Sequence, residues 1–165
     1  YAVVSSRPSS SPVPRTTERS APTAGNALID GCLIGSWRSL GISGPNGDSG
    51  LSGVVLKIGS DGQQTVDYSN SQPEVQPEPG TPLVHQWRGV TMDRISATGG
   101  VVHSVTPESS TAEATISGPN LTTTTAPARG IAGFVSPTAT PTYTCTSTTL
   151  EFPSFNIFTL SYVRL

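Results

Sequence analysis

Charge is scarce in this chain. Lysine occurs once among 165 residues, at Lys57, and Asp, Glu, Lys and Arg together make up 12%, about half the usual globular share. Nine scattered cations against eleven carboxylates leave a formal charge of −2, with no basic stripe to grip a phosphate backbone, so no nucleic-acid partner is expected. Long hydrophobic runs are absent too: nothing approaches the roughly 18 apolar residues of a membrane helix. Cysteine is limited to Cys32 and Cys145, too few for a zinc site and too far apart for a CxxC redox motif. An even pair suits a single disulfide in an oxidising compartment, with two unpaired thiols as the alternative.

Catalytic signatures are equally thin. No G-x-S-x-G elbow, P-loop or H-E-x-x-H motif occurs, which removes the usual warrants for phosphate and zinc chemistry. Gly47-Asp48-Ser49-Gly50 imitates the nucleophile loop of chymotrypsin-like proteases. There the histidine and aspartate precede the serine, whereas His85 and His103 both follow it, so a polar turn is the expected role. The two histidines, with Asp93 or Glu108, would form a metal site only by facing each other across adjacent strands. They are read as ordinary sheet residues. No catalytic residue, metal or cofactor is assigned.

Hydroxyls and turn formers fill the space that charge leaves. Ser and Thr number 45, and Gly and Pro another 32. Gly and Pro interrupt helices, and Thr loses rotamer freedom in them, so the composition predicts an all-β fold. Residues 1–27 carry four prolines, many hydroxyls and three arginines against one glutamate. Such a segment buries too little apolar surface to offset its ordering entropy. It is expected to be a disordered tail or a membrane-proximal spacer, with the folded domain covering 28–165. The chain starts at Tyr1 rather than Met, so a signal sequence or membrane helix upstream is expected, and contact with a membrane only through it.

Within the domain, Ala27–Gly35 is apolar and too short for a full helix, and one helical turn is expected there. A first strand covers about Gly35–Ile42 and a second Val54–Ile58. Asp61-Gly62 signals a hairpin into Gln64–Tyr68. The segment 70–82 holds four prolines, which exclude it from a sheet interior. Leu83–Ala97 has β-type residues throughout, with Gly89 marking a bulge or bend, and Gly99-Gly100 turns the chain. A hairpin is expected between Val101–Val105 and Ala112–Ile116 across 106–110, with Val101, His103 and Val105 on one face. Residues 118–140 read as a long loop with an apolar insert at 131–135, and Asn120 begins an N-glycosylation acceptor triplet. Tyr143–Cys145, Thr149–Phe152 and Ile157–Leu165 complete the count, the last placing Leu160, Tyr162 and Arg164 on one face. About nine short strands suggest a sandwich or a barrel. A Cys32–Cys145 bond would fasten the two edges of a meander and favours the barrel.

Gly35-Ser36-Trp37 opening the first strand, together with Arg164 in the last, resembles the end-closing signature of the lipocalin-like (calycin) β-barrels. The layout of CLIGSW, a DG turn and a late YTC also looks like lipocalin-like domains exported by bacteria. The resemblance spans about 28–165. It implies an antiparallel up-and-down barrel of eight to ten strands, with Trp37 packed in one end under the Arg164 side chain. Both residues are then structural. The second and third motifs of the vertebrate-type transporters are not seen, so their ligands do not carry over. On this reading the protein is a non-enzymatic, extracytoplasmic barrel, secreted or anchored to the cell envelope, binding a small apolar or amphipathic ligand or lipid. Trp87 offers the flat apolar wall, with Leu56, Ile58, Val66 and Tyr68 as inward neighbours. The alternative is a filled barrel that meets an envelope protein partner or acts as a sensor; a cofactor-free enzyme ranks below both.

Overall fold

Turn residues dictate where this chain reverses, and the strands follow from them. A computed structural model describes residues 28–44, 50–76, 82–119, 121–127, 141–154 and 158–165. Residues 1–27, the 131–135 insert, Asn120 and Gly47 to Ser49 lie outside these. Strand β1 (Gly35–Ser43) pairs antiparallel with β2 (Val55–Ile58). The Asp61-Gly62 turn, with Gly62 at φ +83°, passes the chain to β3 (Gln63–Asp67). The short β4 (Glu74–Gln76) sits in the proline-rich connection. Gly89 divides the long run into β5 (Leu83–Arg88) and β6 (Val90–Thr98), and Gly99-Gly100 leads into β7 (Val101–Ser110). The remaining strands are β8 (Glu113–Gly118), β9 (Leu121–Pro127), β10 (Thr144–Cys145), β11 (Thr149–Ser154) and β12 (Phe158–Arg164).

All pairings between these strands are antiparallel, and they build two sheets. Eight strands in the order β10-β11-β12-β1-β2-β3-β6-β7 form a curled half-barrel; β4-β5-β8-β9 form a second, smaller sheet. The edges of the half-barrel touch at one point, where Val101 and Thr142 make an isolated antiparallel bridge. Val102 N–H donates to Pro141 O and Tyr143 N–H to Gly100 O, both at 2.9 Å. The all-β antiparallel expectation holds at this level. A single run of eight to ten strands does not describe these residues, because four of the twelve described strands leave the curled sheet for a flap of their own.

Departure happens at Gly89. Strands β5–β6 and β7–β8 are two arms of one long hairpin, paired from Val84–Ser117 through Arg88–Glu113 to Thr91–Ser110 and on to Thr98–Val101. Both arms bend at the same level. Gly89 takes φ +86° there, and a Cβ would collide with the Thr111 carbonyl and lie 2.9 Å from the Ala112 Cα. Only glycine meets both demands.

This hairpin corrects three sequence expectations. Residues 106–110 do not turn; they extend β7, and β8 pairs with β5 instead of β7. Pro107 is tolerated because β7 is an edge strand and a register shift adjoins it, the setting in which sheets admit proline. The Thr-rich segment expected to be loop contains β9 at one edge of the flap; β4, in the proline-rich segment, takes the other edge and so stays outside the sheet interior as expected. Val101, His103 and Val105 do not share a phase either. A second register shift leaves His103 unpaired, so Val102 opposes Ala97 and Val105 opposes Ile95; Val102 is buried and His103 exposed.

The core fills the concave side of the half-barrel. Alternate residues of β1, β2, β3 and β6 are buried while their neighbours are not, the period-two signature of a sheet with one wet face. Leu33, Trp37, Leu56 and Leu150 are fully excluded from solvent. Each such side chain contributes roughly 1.5–3 kcal/mol relative to exposure. The described part of the apolar segment before β1, residues 28–34, makes a turn at Gly31 to Leu33, where Leu33 N–H donates to Asp30 O at 2.9 Å.

Candidate functional site

One end of the half-barrel is sealed by residues that precede β1. Ile29 bridges to Ala97 in β6, and Ala97 N–H donates to Leu28 O at 2.7 Å. Cys32 and Cys145 are disulfide-bonded across 113 positions, with Cα atoms 5.9 Å apart. The bond ties this segment to β10. Tyr143, beside it, donates its phenol to Asp30 Oδ2 at 2.5 Å. Burial first, then that hydrogen bond, pushes the Tyr143 phenol above its ordinary value, so it remains a donor.

Trp37 and Arg164 stand opposite each other on β1 and β12. The guanidinium carbon lies 4.3 Å from the indole centroid, within cation–π range. Three consecutive carbonyls hold the pair. Arg164 donates to Cys32 O at 2.8 Å and to Ile34 O at 3.0 Å, while Trp37 Nε1 donates to Leu33 O at 2.8 Å. Gly35 explains the Gly-x-Trp spacing. Its φ is +141°, and a Cβ there would sit 2.7 Å from Arg164 Nη1. The glycine leaves the channel through which the guanidinium crosses the ring.

The opposite end is framed by the loop before β2, the turn after β3 and the root of the flap. Gln72 N–H donates to Ser52 O, and Ser71 Oγ to Trp87 O, both at 2.8 Å. Trp87 is half-buried and packs against the main core at this rim. His85, two residues away on the same face of β5, is tilted against it with ring centroids 6.1 Å apart. His85 pairs in register with Glu74 and Ile116, whereas His103 bonds Thr98 near the Gly99-Gly100 turn. The two histidines therefore stand in different sheets, which corrects the idea that they face each other. Among the described residues, no three His, Cys, Asp or Glu side chains gather to hold a metal.

Leu56, Ile58, Val66 and Tyr68, the inward residues anticipated beside Trp87, are all buried in the central cluster. Between them lies a polar group whose burial the sequence reading did not anticipate. Gln64 on β3 opposes Asp93 on β6, and Thr91 is two residues from Asp93 on the same face. All three are at most 3% exposed. Gln64 Nε2, Thr91 Oγ1 and Asp93 Oδ2 have no hydrogen-bond partner. Burial, reinforced by the nearby Glu108 carboxylate, raises the Asp93 carboxyl above its ordinary value. Tyr68 is raised by burial and then by Asp93, and Tyr162 by burial and then by Tyr68, so the phenols border the same region. The signal was available for Gln64, which shares the period-two phase of Val66 and Tyr68.

No family model matches this chain, and neither the curated proteins nor the solved structures include a match to it.

Proposed function

We propose that this protein is a lipocalin-like barrel that binds a small amphipathic molecule in its interior and works outside the cytoplasm without catalysis. The observation that carries the reading is the asymmetry between the two ends. One end is closed by the disulfide and by Trp37 and Arg164 on three backbone carbonyls. The other is bordered by a half-buried tryptophan at the sheet's bend. A barrel sealed at one end and lined by an aromatic wall at the other suits entry of a ligand with an apolar body. The Gly-x-Trp and Arg164 arrangement is what the lipocalin-like resemblance rests on, and the disulfide fits an oxidising compartment.

A second reading is favoured by the flap. Every residue of β9 from Leu121 to Pro127 is exposed, and a sheet whose outer strand buries nothing suits contact with another protein of the envelope. The two readings separate in native mass spectrometry of the protein purified from its own host. A discrete lipid or metabolite released on denaturation supports the carrier. A clean apo mass across repeated gentle preparations contradicts it and shifts the weight to a filled barrel acting through its surface.

A further inference from the structure

Three buried polar side chains on one interior face of a β-sheet, each with one atom that lacks a hydrogen-bond partner, call for a ligand of matching chemistry. Leaving a buried donor or acceptor unpaired costs about 1–3 kcal/mol, and three within two strand positions are an unusual concentration for a folded core. Gln64 and Asp93 are direct cross-strand partners, so their Cβ atoms lie roughly 4.5–5.5 Å apart. Gln64 Nε2 and Asp93 Oδ2 nevertheless do not satisfy each other. Both are left for a third group, with the Thr91 hydroxyl at the same face.

We propose that Gln64, Asp93 and Thr91 form the polar subsite of the barrel, and that it takes a neutral amphipathic ligand whose polar end is a carboxamide-type group. Such a group offers a carbonyl to the Gln64 amide N–H beside an N–H for the Asp93 carboxyl, with the Thr91 hydroxyl free to donate or accept. This rests on the interior-binding reading and adds the chemistry of the ligand's head. A carboxylate head fits poorly. Asp93 already lies near Glu108, and the neighbouring Arg94 is paired with Glu108 at 2.9 Å. A head of pure hydrocarbon leaves all three groups unpaired.

The test compares decanamide, decanoate and the fluorescent probe N-phenylnaphthylamine, which carries no carbonyl for Gln64, on the full chain, using wild type, Thr91→Val and Gln64→Leu. Thr91→Val is nearly isosteric and removes an unsatisfied hydroxyl, so it keeps the fold. Decanamide is expected to displace the probe at least about tenfold more tightly than decanoate. Each substitution should weaken decanamide by about tenfold while leaving the probe's own affinity unchanged. Probe binding with no preference for the amide, and no effect of either substitution, overturns the subsite and leaves the barrel reading standing, the three groups then being served by buried water. Failure of the probe and both decyl ligands to bind wild type overturns the barrel reading and the subsite with it.

Discussion

The half-barrel and the flap share two long strand arms, β5–β6 and β7–β8, yet they bury them in opposite ways. In β6 the residues Thr91, Asp93, Ile95 and Ala97 are buried in strict alternation. Across Gly89, no residue of β5 is fully buried, β8 is half-buried at best, and β9 is wholly exposed. Strand formation is therefore not what separates the regions; the second apolar layer is. The curled sheet folds onto itself and supplies its own opposing face, whereas among the described residues the flap meets one only at its root, where Trp87 and Ala114 pack against the core. Stability should concentrate in the half-barrel and adaptability in the flap.

The two tryptophans give the largest contrast. Trp37→Ala removes a fully buried indole, its hydrogen bond to Leu33 and the seat of Arg164, and should cost about 3–5 kcal/mol in denaturant unfolding. Trp87→Ala should cost markedly less and instead weaken ligand binding. Equal losses of stability would erase the proposed division. Reduction of Cys32–Cys145 comes next. It releases a 113-residue separation and should lower stability by roughly 2–5 kcal/mol, measured as a drop in Tm with a thiol reductant under otherwise identical conditions.

Gly89→Ala acts at the boundary itself. The substitution forces a side chain into a left-handed conformation against the Thr111 carbonyl, at a cost of about 1–3 kcal/mol. Limited proteolysis should find the flap cut first while the half-barrel survives. The smallest effect belongs to Asp93. Its carboxyl is raised in the folded state, first by burial and then by Glu108, so the folded chain holds this proton more tightly than the unfolded one. The contribution is fully present below the ordinary value of 3.8 and is lost as pH rises through the higher folded value. Asp93→Asn should remove that fall and raise Tm at neutral pH by a few degrees at most, roughly; an unchanged pH profile would deny the group its buried environment.

Local chemistry was legible wherever a turn residue or a strict alternation decided the matter. Asp61-Gly62, Gly99-Gly100 and the bend at Gly89 could be placed from the sequence, as could the buried phase of Leu56, Ile58, Val66 and Tyr68. Pairing between distant strands could not. Nothing in 101–116 announces that β8 will join β5 across the bend, because that choice depends on Gly89 turning the partner arm by the same amount. Bulges defeated the phase of β7: one unpaired residue, His103, exchanges the inward and outward sets beyond it. The Thr-rich β9 reads as loop because it buries nothing. The burial of Thr91 and Asp93 went unforeseen for a related reason, since the phase of β6 is ambiguous on either side of a glycine bend.

Hydrogen exchange of backbone amides, followed strand by strand, tests the division most directly. The slowest amides should lie in β1, β2, β3, β6, β11 and β12 and exchange only through global unfolding, while those of β5 and β8 exchange sooner through local opening of the flap. Equal protection of β5, β8, β1 and β12 would mean that the two sheets unfold as one unit and would contradict the account.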